Sequence, residues 1–116
     1  MMDRARVVIL SGRSLFAEGV ASLLRQHGDH IDLHNVDYRQ PDVLAQVIAI
    51  QPSTVILDAT DPDVDQQCPL GSVLDALPSL KVLRLDPEQN LIQVVTSEQR
   101  QAAEVNDLIS LIESRP

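Results

Sequence analysis

Asp58 closes the apolar run Thr54–Asp58 within PSTVILDATDP, and Pro62 follows four residues later. A carboxylate at the end of a buried strand can accept a phosphoryl group, bind a metal ion, or pair with a base. A second stretch, Ser11, Gly12, Arg13 and Ser14, lies between an apolar run and a helical pattern. Helix N-termini attract anions, and a serine hydroxyl there can accept an orphan backbone N–H. Ser14 therefore reads as a cap, and Arg13 with Ser14 as a possible anion site. Arg13 and Asp58 fall at the same end of their strands, so an Arg13–Asp58 pair can supply a fixed positive charge where a metal would otherwise sit. Asp86 ends a later apolar run. Phosphoryl transfer to an aspartate needs Mg²⁺, which takes near-octahedral oxygen ligands, usually with more than one carboxylate. Ser11 offers a neutral oxygen and no charge, so Asp58 reads first as a strand-end aspartate bonded locally.

Other constellations are plainer. Asp58, Asp61, Asp63 and Asp65 lack the glycine and terminal glutamate of a calcium loop and read as a solvated acidic loop. His27, His30 and His34 come without matching cysteines or an HExxH pattern, so no metal site is expected. Cys68, the single cysteine, has no basic neighbours to activate it. No nucleophile is paired with a base, so the chain is not expected to be an enzyme, has no expected catalytic residues, and implies no cofactor.

These residues must be held by a framework that the hydrophobic pattern outlines. Residues 7–11 form a short β-branched run suited to a strand buried on both faces. Phe16, Val20, Leu23 and Leu24 recur at helical spacing, and Gly28 suits the helix end. Ile31–Val36 alternates as an edge or half-buried strand. Pro41 is placed to open a helix with Val43, Leu44, Val47, Ile48 and Ile50 on its apolar face, ended by Pro52. After strand Thr54–Asp58, residues 59–69 read as a loop, and Val73, Leu74 and Leu77 as a short helix before Pro78. The strand at 81–85 completes a βαβαβαβ order, which implies a parallel, doubly wound sheet.

Then the pattern changes. Only DPEQN separates that strand from the next strand-like run, 91–96. A parallel crossover needs about a dozen residues or more, so these two strands must form an antiparallel hairpin. Period two places Leu83 and Leu85 on one face with Val82 and Arg84 on the other, and sets Gln93 apart from Ile92 and Val94. Arg84 and Gln93 are expected on a face left more exposed because no helix covers it. A last helix over 98–113, with Val105, Leu108, Ile109 and Ile112 at helical spacing, is expected to pack back on the sheet.

Composition narrows the classes. At 116 residues one domain, 1–116, is expected, with a core of Leu, Val, Ile and Ala because Phe16 and Tyr38 are the aromatic residues. The net charge of −8 opposes binding to phosphate backbones and anionic membranes, so neither nucleic acid nor membrane is an expected partner. No run approaches the ~20 apolar residues of a membrane span, and a lone cysteine suits a reducing compartment. A soluble cytoplasmic protein is expected.

The segments VVILSGRSLFAEGV, PSTVILDATDP and LPSLKVLRL, in that order, resemble the receiver domain of bacterial response regulators over the first 85 or so residues. The resemblance implies a flavodoxin-like α/β fold with sheet order 2-1-3-4-5, here with an antiparallel fifth strand and without the family's helix between the fourth and fifth strands. It puts Asp58 at the phosphoacceptor position and Pro62 at the family's loop proline. Ser11 and Gly12 occupy the positions of the family's acidic pair, and Asp86 the position of its hydroxyl residue. The family's lysine has no counterpart, since Lys81 is the single lysine and begins the fourth strand, on the opposite edge from Asp58. The chain is therefore expected to be a stand-alone, degenerate receiver (a pseudo-receiver) in a two-component or other signalling pathway. It would act through a protein partner, with a homodimer through the hairpin and last helix as one form. The alternative is a small-anion or nucleotide sensor using the crevice at the strand ends, where doubly wound sheets bind ligands.

Overall fold

The computed structural model describes residues 5–11, 14–26, 31–59, 63, 70–86, 88–89, 91–96, 100–104 and 112. Among them lie strands β1 (Ala5–Leu10), β2 (Ile31–Val36), β3 (Thr54–Asp58), β4 (Lys81–Asp86), β5 (Leu91–Val95) and β6 (Arg100–Glu104), and helices α1 (Ser14–Arg25), α2 (Val43–Ile50) and α3 (Leu70–Ala76). The strands form one mixed sheet in the order β2-β1-β3-β4-β5-β6. β1 runs parallel to β2 and β3, β3 runs parallel to β4, and β5 turns back antiparallel to β4. The order 2-1-3-4-5 is the one the resemblance implies, and the reversal of the fifth strand follows from the short loop before it.

The end of the chain departs from it. In place of a helix starting at residue 98, Arg100–Glu104 adds a sixth strand antiparallel to β5. Arg, Gln, Ala and Glu are all good helix formers, and this is why periodicity and propensity favoured a helix. The free edge of β5 offered a row of backbone donors and acceptors, and that tertiary opportunity outweighs a propensity of a few tenths of a kcal/mol per residue. Ile112 is helical and 4% exposed, packed against the sheet, so the expected packing holds at that residue. β5 is consequently an interior strand between β4 and β6.

Two layers of apolar side chains hold the sheet. On one face Val8, Leu10, Val55, Leu57, Val82 and Val95 meet α2 through Val43 and Val47 and α3 through Val73. On the other, Val7, Ile9, Ile56, Leu83, Leu85, Ile92 and Val94 meet α1 through Val20, Ala21 and Leu24, with Ile112 beside them. The strict alternation along each strand produces this division, because successive side chains leave a strand on opposite sides. Helices on both faces of a largely parallel sheet make a doubly wound α/β arrangement.

Local departures have local causes. Leu23, expected on the buried stripe of α1, is 36% exposed, and Ala21 takes a place in the core instead. α2 begins at Val43 rather than at Pro41, with Asp42 at its N-cap; the Asp42 carboxylate accepts from Gln46 Nε2 at 2.7 Å rather than from a helix amide. Gln51 ends α2 in the left-handed region at φ 52°, its N–H donating back to Val47 and Ile48. Gly28 lies outside the described residues.

Candidate functional site

The parallel strands bring their C-terminal ends to one edge of the sheet. Asp58, last in β3, is level with Leu85 of β4, and Ala59 N–H donates to the Leu85 carbonyl at 2.8 Å. Ser11, just past β1, donates its N–H to the Val36 carbonyl of β2 at 3.1 Å. Ser11, Asp58 and Asp86 therefore share this edge, as their places in the sequence imply. Ser14 is the first residue of α1. Gly12 and Arg13, and with them an Arg13–Asp58 pair, lie outside the described residues, as do Asp61, Asp65, Cys68, His27 and His30. Lys81 is level with Thr54 at the opposite ends of the strands, as expected, and burial pushes its ammonium below the ordinary lysine value.

Asp86 has a local task. Its Oδ1 accepts the backbone N–H groups of Glu88 at 3.1 Å and Gln89 at 3.2 Å. A carboxylate that takes the amides two and three residues on builds the turn of the β4–β5 hairpin. The signal was in the sequence, since aspartate before proline favours a turn start.

Sequence reasoning missed Asp37 at the same edge, just past β2. Its Oδ1 accepts the Arg39 backbone N–H at 2.9 Å and Arg39 Nε at 3.1 Å, and its Oδ2 accepts Arg39 Nη2 at 2.9 Å. The Arg39 side chain, with the Arg39 amide next in weight, holds the Asp37 carboxyl below the ordinary aspartate value. An Asp-x-Arg step directly after a strand was the available signal. Elsewhere on β2, His34 Nε2 lies 3.2 Å from Asp32 Oδ2, a local pair on an edge strand.

This edge is thus lined by carboxylates from three strand ends, Asp37, Asp58 and Asp86, two of them engaged in their own turns. Among the described residues no group of three His, Cys, Asp or Glu side chains is placed to hold a metal ion. A free anion approaching this edge meets like charge, and the described arginine beside it, Arg39, is already paired in a two-pronged contact.

A second feature adjoins the edge. The loop of residues 87–90 between β4 and β5 is too short for a crossover helix. On the face that α2 and α3 cover, the buried pair Val82–Val95 is followed toward the turn by Arg84 opposite Gln93 and Asp86 opposite Leu91. Gln93 is exposed, Arg84 and Asp86 are half-buried, and Leu91 is 39% exposed. The Arg84–Gln93 pairing and its greater exposure agree with the period-two reading. The result, among the described residues, is a mixed polar and apolar patch at the turn end of the hairpin.

No family model matches this chain, and no curated protein or solved structure matches it either. Among the described residues no helix is long and apolar enough to cross a membrane.

Proposed function

We propose that this chain is a receiver-like domain of flavodoxin-like topology that acts in signalling or regulation by binding another protein, without Mg²⁺-dependent phosphorylation of Asp58. The observation that carries the reading is the β4–β5 hairpin. It stands where the resembled family has a helix, leaves Gln93 and Leu91 exposed beside the half-buried Arg84, and engages Asp86 in its turn. Ser11 at the end of β1 adds no carboxylate to Asp58, which supports the absence of ordinary Mg²⁺ chemistry. The family assignment rests on the sequence resemblance together with strand order 2-1-3-4-5. A cytoplasmic setting fits the single cysteine. The anion-sensor alternative is disfavoured by the carboxylates of Asp37, Asp58 and Asp86 along the crevice.

An amide NMR titration with Mg²⁺ followed by beryllofluoride tests this, with Asp58→Asn as control. The expected result is no Asp58-dependent shift. Shifts at Ser11, Asp58 and Asp86 that vanish in Asp58→Asn would establish a working phosphoacceptor and overturn the proposal.

A further inference from the structure

β6 ends the sheet, and among the described residues no strand pairs with its outer side. An edge strand carries a row of backbone N–H and C=O groups directed away from its neighbour, and such a row is a template for another strand. The segment is RQAAE, rich in helix formers, and among the described residues its strand partner is β5.

The order of its residues says which partner fits. In an antiparallel pairing of two copies about a two-fold axis at Ala102, Arg100 of each copy stands directly opposite Glu104 of the other. Gln101 then faces Ala103, and Ala102 faces Ala102. The opposite-charge pair occurs twice by symmetry. Moving the axis by one pair toward either end of the strand loses both pairs, and a further step sets Arg100 against Arg100 or Glu104 against Glu104. Directly opposed unlike charges stabilise antiparallel strands and like charges destabilise them, so the segment specifies one register for itself. An isologous two-fold contact of this kind is the commonest way two identical chains associate.

We propose that β6 is a self-pairing edge through which two copies of this chain join their sheets, in the register that sets Arg100 opposite Glu104. β6 takes residues 100–104 of the segment expected as the last helix, so this contact runs along a strand edge instead of a helix face, and it stands on the sheet edge and its charge order alone, apart from the receiver-like reading. One strand pair covers less than a standard protein interface, so the dimer is weak and concentration-dependent. The net charge of −8 on each copy opposes approach at long range, whereas charges in contact are screened less.

Sedimentation velocity over a concentration series at ~0.15 M salt, where the screening length is about 8 Å, reads the association. The wild-type chain is expected to shift toward dimer as concentration rises. Arg100→Glu and Glu104→Arg are each expected to weaken the dimer about tenfold, since each turns both unlike pairs into like ones. An equimolar mixture of the two variants is expected to recover association, because each then carries the complement of the other. The double variant R100E/E104R is expected to recover it alone. A chain that stays monomeric throughout the series overturns the proposal, as does a dimer indifferent to the charge reversals or not rescued by mixing. Amide hydrogen exchange of the wild-type protein at low and high concentration needs no variant. Protection across residues 100–104 is expected to rise with concentration, and unchanged exchange there overturns the proposal equally.

Discussion

The Asp86 carboxylate lies over the two amides that open the hairpin turn. Removing it leaves those N–H groups to water at a half-exposed site. Asp86→Ala is expected to cost about 1 kcal/mol of folding stability in urea denaturation, with Asp86→Asn, which keeps an acceptor oxygen, nearer to the wild type. At the other end of the same sheet edge, Asp37 titrates in a way that links folding to pH. Its pairing with Arg39 lowers its pKa in the folded chain, so the folded state binds fewer protons than the unfolded one between the two values. The stabilisation is fully present above the unfolded value, about 3.9, and is lost as pH falls through the lower folded value. Thermal midpoints of wild type and Arg39→Ala are therefore expected to differ at neutral pH and to converge in strong acid. A constant gap at every pH would mean that Arg39 acts through packing instead. Asp37 and Asp86 show one carboxylate type in turn-building roles that a search for phosphoryl chemistry reads differently. The acceptors are fixed by which amides the chain folds back toward, and spacing alone does not reveal that.

β5 illustrates how an element divides its residues between roles. Ile92 is fully buried against the face that α1 and Ile112 share, and its neighbour Gln93 is exposed on the opposite face. Ile92→Ala is expected to destabilise by about 3 kcal/mol through lost burial and a residual cavity. Gln93→Ala should stay within about 0.5 kcal/mol of the wild type. Chemical denaturation of the pair checks the face assignment: similar costs would mean that β5 is covered on both sides. The boundaries of β2 and β3, the alternation of β4 and β5 and their antiparallel turn were legible because each follows from side-chain period and loop length. β6 was not legible. Its five residues have the local preferences of a helix and took the strand state by lying beside β5.

At the scale of the whole molecule, the described helices pack on both faces of the sheet, α1 on one and α2 with α3 on the other. The hairpin takes the place of a crossover helix and β6 extends the sheet beyond it, so both proposed contacts, with a partner at Arg84 and Gln93 and with a second copy at β6, fall at that end of the sheet. The sequence by itself determined the apolar strands, the doubly wound order through β4, the reversal at DPEQN and the assembly of Ser11, Asp58 and Asp86 at one edge. These follow from period, loop length and the common direction of parallel strands, all of which are local or topological quantities. Tertiary structure decided that Asp37 and Arg39 lock together, that Leu23 faces outward, that β5 is interior, and that a helix-forming segment is an edge strand. Each of these depends on what lies beside the residue in space, and a backbone edge left open by one strand can outweigh the intrinsic preference of the segment that arrives to fill it.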